Sequence, residues 1–246
     1  MTIYSVVSGK GGVGKTTSAI NLGAALNFFG KKVLIVDANL STPNIGIHLG
    51  APIVPVSLNH VLENKAKLMD AIYEHNSGMK ILPSSLSCDV AKLINPRKFA
   101  QIIEELRKYS SQIILDSSPG LGKESYLPIS CSDEVILVTQ AEMPAVADSL
   151  KTARLARQLK KPIKGFILTR YKKKKSEMAI ENIIDMLEVP LLGIVPEDKN
   201  MQKALSKKDA ILHTHPKSKA SKAYKEIARK MLGIEEPGFL FRLFKR

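Results

Sequence analysis

Short apolar runs alternate along this chain with longer stretches whose apolar positions recur at helical spacing. Thr2-Ile3-Tyr4-Ser5-Val6-Val7 is β-branched and aromatic, as expected of a strand buried on both faces. Val33-Leu34-Ile35-Val36, Gln112-Ile113-Ile114-Leu115 and the runs 80–83, 134–139 and 191–195 read the same way. Between them, Thr16 to Phe29, Arg97 to Tyr109, Pro144 to Lys161, Met178 to Leu187 and Ser218 to Leu232 read as helices. This alternation predicts an α/β fold, a mostly parallel sheet with helices on both faces. With 246 residues, 44% of them hydrophobic, the chain can build one large core. No internal repeat divides it, so residues 1–234 are assigned to a single domain.

Between the first strand and the first helix lies Ser8-Gly-Lys-Gly-Gly-Val-Gly-Lys-Thr-Thr17, a glycine-rich phosphate loop in the strand–loop–helix setting that such a motif requires. Glycines 9, 11, 12 and 14 let the backbone turn tightly and aim its N–H groups inward. The helix adds its positive N-terminal end, so a polyphosphate is held by donors and dipole together. Gly11, Gly12, Val13, Gly14, Lys15, Thr16 and Thr17 are the expected contacts. Lys15 is expected to meet the β- and γ-phosphates, Thr16 to offer its hydroxyl to Mg²⁺, and Thr17 to reach the α-phosphate. Two carboxylates, Asp37 and Asp116, end predicted strands, and a carboxylate there beside the loop suits an outer-shell Mg²⁺ ligand. Lys10 has no role in the ordinary scheme.

The pattern Lys-Gly-Gly-x-Gly-Lys-Thr, matched by Lys10 to Thr16, resembles the deviant Walker ATPases of the MinD/ParA family, MinD members most closely. The resemblance extends along nearly the whole chain and implies a three-layer P-loop NTPase fold with ATP and Mg²⁺ as ligands. It also implies an ATP-dependent homodimer in which Lys10 reaches across to the partner's phosphates. Asp116, followed by Ser117-Ser118-Pro119-Gly120, resembles the Walker B residue and the start of switch II. The stretch from Phe166 to Tyr171, with Thr169 and Arg170, resembles one adenine-side edge; Ile194-Val195-Pro196-Glu197-Asp198 resembles the other.

One position departs from the family. Where its members commonly carry Asp-x-Asp after the second strand, this chain has Asp37-Ala38-Asn39. Asn39 is no base near neutral pH. Phosphoryl transfer rests mostly on positioning and electrostatics, so an amide that orients a water implies slow hydrolysis rather than none. Lys10, Lys15 and Asn39 form the expected catalytic set.

Composition narrows the remaining choices. Cys88 and Cys131 are the only cysteines, which suits reduced thiols in an intracellular protein and excludes the Cys-x-x-Cys pair of iron–sulfur carriers. The five histidines show no metal-ligand spacing, so no metal beyond Mg²⁺ is expected. The first strand begins at once, leaving no room for a signal peptide, and no apolar run spans a bilayer. The net charge is +14, and residues 151–230 supply nearly all of it with 21 Lys/Arg against 8 Asp/Glu, the exposed run Lys172 to Lys175 among them. Such a surplus suits anionic lipid or DNA equally.

The end of the chain separates these two. After a hinge at residues 235–238, Phe239, Leu240, Phe241, Leu243 and Phe244 fill one arc of a helix while Arg242, Lys245 and Arg246 fill the other. An aromatic face opposite a basic one is the pattern of a helix lying in a membrane interface, and residues 239–246 resemble the family's membrane-targeting tail. The expected protein is a cytoplasmic ATPase, peripheral on the cytoplasmic face of the cell membrane, that positions an unidentified partner such as the division machinery. A ParA-like ATPase acting on nonspecific DNA and an ATP-locked membrane scaffold with negligible turnover are the alternatives.

Overall fold

The computed structural model describes residues 1–85 and 95–234. Cys88, the hinge 235–238 and the segment bearing Phe239, Leu240, Phe241, Leu243 and Phe244 lie outside the described residues.

Eight strands form one sheet: β1 (Thr2–Val7), β2 (Val33–Asp37), β3 (Tyr73–Glu74), β4 (Lys80–Leu82), β5 (Gln112–Asp116), β6 (Glu134–Thr139), β7 (Ile163–Tyr171) and β8 (Leu191–Pro196). Their order is β3-β4-β2-β5-β1-β6-β7-β8, parallel throughout except for the β3–β4 pair. The helices are α1 (Lys15–Phe28), α2 (Ile45–His48), α3 (Leu58–Leu62), α4 (Pro96–Glu105), α5 (Lys123–Cys131), α6 (Met143–Gln158), α7 (Ile180–Leu187), α8 (Asn200–Ser206), α9 (Ile211–Thr214) and α10 (Lys219–Met231). The three-layer α/β architecture expected from the alternation is the one observed.

Residue alternation along the strands divides the core. Tyr4, Val6, Ile35, Ile114, Ile136 and Val138 point to one face and pack with α1 and α10. Their neighbours Ile3, Leu34, Val36, Ile113 and Leu115 pack on the other face with Phe99, Ile102 and Ile103 of α4. Farther along that face, Leu137, Phe166 and Leu168 meet Val146 and Ala153 of α6 and Ile183 and Leu187 of α7. Phe99 and Phe166 are at most 1% exposed, and each such burial is worth about 1.5–3 kcal/mol. Both strand faces are therefore apolar, and the strands read as continuous hydrophobic runs.

Several elements were not predicted. Helix α5 carries Pro128 in its interior, which reads as a break, yet the proline is buried and the helix runs on to Cys131. The predicted helix 97–109 is α4 followed by a 3₁₀ turn over Leu106–Lys108. Helices α2, α3, α8 and α9 and the two-residue β3 are shorter than any window in which periodicity can be read.

The connection leaving β1 runs to β2 on one side, while the connection leaving its neighbour β5 crosses to β6 on the other, so the strand order reverses between β5 and β1. Crevices outside the carboxyl ends of strands at such a switch point are where open α/β sheets bind ligands.

Candidate nucleotide site

The glycine loop leaves β1 at this switch point. Gly14 has φ 91° and is the N-cap of α1; Gly12 has φ 78°. Both lie in the left-handed region that glycine enters without cost. Gly9 is needed for space, since a Cβ there would sit 2.2 Å from the backbone carbonyl carbon of Asp148 in α6. The loop is held on two sides. Gly120 N–H donates to the Ser8 carbonyl (3.0 Å), and the Thr169 hydroxyl donates to the Val13 carbonyl (2.6 Å). No acidic residue lies in the first turn of α1, and no side chain caps it. Its N-terminal N–H groups are free to meet an anion.

Within this frame Lys15 is buried, and its Nζ lies 2.6 Å from Asp116 Oδ1. Asp116 Oδ2 is also buried and has no hydrogen-bond partner. Sheet register sets Asp37 beside Asp116 at the ends of β2 and β5. Asp37 is fully buried; its Oδ2 accepts the N–H groups of Asn44 (2.8 Å) and Ile45 (2.9 Å), and its Oδ1 accepts that of Asn39 (3.3 Å). Burial first, and the neighbouring Asp116 second, push the Asp37 carboxyl up to about 7. Two adjacent buried carboxylates, one with an orphaned oxygen, suit a divalent cation beside the loop, the role expected of Thr16, Asp37 and Asp116.

Asn39 is 3% exposed, and its amide is fully engaged. Its Nδ2 donates to the Thr42 carbonyl (2.6 Å), and its Oδ1 accepts from Ser118 Oγ (2.8 Å). Ser118 Oγ also lies 2.9 Å from Glu124 Oε2, and Ser41 bonds the same Glu124 carboxylate. Asn39, Thr42, Ser41, Glu124 and Ser118 thus join the loop after β2 to the loop after β5. Sequence patterning does not point to Glu124, because it lies on the unpredicted helix α5.

On the other side of Gly14 opens a cavity of about 380 Å³. Thr17, Thr169, Arg170, Pro196, Glu197 and Asp198 line it, so the structure brings the expected adenine-side residues to one pocket with the loop. Met201, Gln202, Leu205 and Tyr224, which the sequence did not single out, complete the walls. Arg170 holds a left-handed backbone (φ 52°), and Glu197 N–H donates to the Tyr171 carbonyl (3.1 Å), fixing the two edges together. Burial would raise the Asp198 carboxyl, but the N–H groups of Asn200 and Ala220 outweigh it and hold the group below its usual value. Asp198 therefore organises the starts of α8 and α10. Tyr224, buried in α10, meets Ser18 of α1 at 3.0 Å. Lys10, Gly11 and Gly12 stand exposed at the outer rim.

A glycine loop capping α1 at the point where the strand order of a mostly parallel sheet reverses defines a P-loop nucleotide-binding domain. Residues 4–211 match the CobQ/CobB/MinD/ParA nucleotide binding domain, and the chain belongs to this family of MinD/ParA-type ATPases. An uncharacterised ATP-binding protein of Methanocaldococcus jannaschii is 36% identical to it, over 94% of this chain and 88% of the relative. The septum site-determining protein MinD of Pyrococcus horikoshii, solved in complex with Mg-ADP, superposes with a TM-score of 0.88 at 34% identity, covering 94% of this chain and 95% of that one. MinD in the Aquifex aeolicus MinC:MinD cell division complex superposes with a TM-score of 0.85 at 28% identity, over 96% and 98% of the respective chains.

Proposed function

We propose that this protein is an ATP-hydrolysing dimerisation switch that binds an anionic membrane surface reversibly from the cytoplasm and positions a partner protein, such as a component of the division machinery. The observation that carries this reading is the pairing of two lysines in one loop, Lys15 buried against Asp116 and Lys10 exposed at the rim. A buried lysine can serve its own nucleotide. An exposed one is placed to serve a second subunit.

Mg²⁺, when bound, neutralises charge on the β- and γ-phosphate oxygens. Lys15 would turn from Asp116 toward the phosphates, and the freed Oδ1 would join the already unpartnered Oδ2 in facing a cation that Asp116 and Thr16 would hold. The loop N–H groups and the first turn of α1 would hold the phosphate chain, while Arg170 and Pro196 to Asp198, which line the adjoining cavity, would border the base. Asn39 and Ser118 tie together the two loops that flank the γ-phosphate side, so a change there passes from one loop to the other. Complexes of relatives with Mg-ADP and with MinC support the nucleotide and the protein partner.

The test separates the two lysines. Lys15→Ala should abolish both ATP binding and ATP-dependent dimerisation, read by fluorescent-nucleotide titration and light scattering. Lys10→Ala should keep nucleotide binding within about tenfold of the parent and lose the ATP dimer. A Lys10→Ala protein that dimerises normally with ATP removes the basis for a lysine acting across the interface.

A further inference from the structure

We propose that His75, Asp209 and His213 form a Zn²⁺ site that clamps the β3–β4 hairpin to the segment joining α8 and α9. His75 is remote in sequence from the other two, which is why no ligand spacing was visible. In the fold the ligand-capable atoms of all three lie within 4.8 Å of one another. Asp209 Oδ1 is the hub, 2.7 Å from His213 Nδ1 and 3.6 Å from His75 Nε2. The imidazole rings stack with centroids 5.8 Å apart and 20° between planes. Two imidazoles and a carboxylate are a donor set suited to zinc, leaving a fourth position for water.

The distances can be judged against a tetrahedral ion. Bonds of about 2.0–2.1 Å set donor atoms about 3.3 Å apart. His213 Nδ1 must then withdraw from Asp209 by about half an ångström, and His75 Nε2 must approach by a few tenths. Both are side-chain adjustments. The His75 ring is already turned with Nε2 toward Asp209, because its Nδ1 accepts the Ser77 N–H (3.2 Å) and lies 2.9 Å from Ser77 Oγ. Zn²⁺ at Nε2 would displace the ring proton to Nδ1, where Ser77 Oγ is in reach to accept it, the arrangement in which a metal-bound histidine is usually held. Asp209 and His213 stand at i, i+4 across the start of α9, so one turn supplies both ligands. The side chains are 13%, 27% and 26% exposed for His75, Asp209 and His213, open enough for an ion to enter.

The clamp adjoins the nucleotide site. Ile211 N–H donates to Asn21 Oδ1 (2.8 Å), and Asn21 Nδ2 donates to the Thr17 carbonyl (2.8 Å). Metal at Asp209 would therefore brace a segment bonded to α1, two hydrogen bonds from the phosphate loop.

The experiment uses the full chain saturated with Mg²⁺ and ADP, so that the P-loop carboxylates are occupied, and titrates Zn²⁺ against a competing chelator. One equivalent should bind, and His213→Ala should weaken that binding at least tenfold. His75→Gln, which keeps the side-chain bulk on the hairpin, should do the same. ADP affinity and melting temperature measured without Zn²⁺ establish that the variants fold. Zn²⁺ should raise the melting temperature of the parent protein and leave that of His213→Ala unchanged. Co²⁺ in the same site should give d–d bands without a thiolate charge-transfer band. Equal Zn²⁺ affinity in parent and His213→Ala overturns the proposal, as does a Co²⁺ spectrum with thiolate character, which would assign the ion to cysteine.

Discussion

Asn39 stands where the family resemblance leads to the expectation of a second carboxylate, and its hydrogen bonds show what an amide does there. An amide both donates and accepts, so Asn39 can give Nδ2–H to the Thr42 carbonyl while accepting a hydrogen bond from the Ser118 hydroxyl. A carboxylate cannot do the first. Asn39→Ala removes both contacts and should cost about 1–3 kcal/mol, several degrees of melting temperature for a domain of this size, together with a lower ATP turnover. Asn39→Asp sets a carboxylate oxygen against the Thr42 carbonyl beside the already crowded Asp37 and Asp116. The loop must open, releasing a carboxylate toward the γ-phosphate side. Turnover should rise above the parent rate while the melting temperature falls, a combination that steady-state ATPase assays and thermal denaturation can read together. Equal rates for the parent, Asn39→Ala and Asn39→Asp proteins would place the attacking water elsewhere.

Elements legible in the sequence were those whose own residues explain them; the rest owe their form to packing. The β6 run 134–139 matches its strand end to end, because a strand buried on both faces is apolar throughout. Helix α1 begins one residue before the expected Thr16, since Gly14 takes the capping turn and Lys15 is already helical. The glycine turn before α1 was equally legible, because Gly12 and Gly14 take left-handed backbone that glycine enters without cost. Glu124, Ser118 and Tyr224 were not, because each acquires its role from a partner brought close only by the sheet. The 3₁₀ turn after α4 illustrates the same dependence. Its Arg107 forms a fork with Asp133 (2.9 and 2.7 Å), whose Oδ2 also accepts the Ile3 N–H (2.8 Å) and so anchors β1. The Arg107 hydrogen bonds, outweighing burial, hold the Asp133 carboxyl below its usual value. A depressed carboxylate contributes stability that is complete above its unfolded pKa of about 4 and is lost as pH falls through the lower folded value. Arg107→Ala should therefore raise the acid-unfolding midpoint by a fraction of a pH unit, followed by circular dichroism between pH 6 and 2. An unchanged midpoint would mean that other carboxylates govern acid unfolding.

At the scale of the whole molecule, the proposed switch requires nucleotide occupancy to be converted into location. Among the described residues no helix is long and apolar enough to cross a membrane. The proposed contact is the amphipathic segment 239–246. Full burial of one of its apolar side chains is worth about 1.5–3 kcal/mol, and each basic residue near anionic lipid about 1 kcal/mol. Ordering the backbone costs about 1–2 kcal/mol per residue, so a single, partly buried segment is marginal. Two segments on one ATP dimer make the second insertion intramolecular and raise avidity roughly 10²–10⁴-fold. Deleting residues 239–246 should thus abolish sedimentation with anionic liposomes while leaving ATP binding intact, and Phe241→Glu should come close to the same result. The intact protein should bind more weakly in ADP than in ATP, and moderately more weakly in high salt, because only part of the free energy is electrostatic. If the truncated protein sediments as well as the full chain, the basic surface of residues 151–230 is the anchor. Retention of DNA in the same assay would then favour partition of nucleic acid over attachment to lipid.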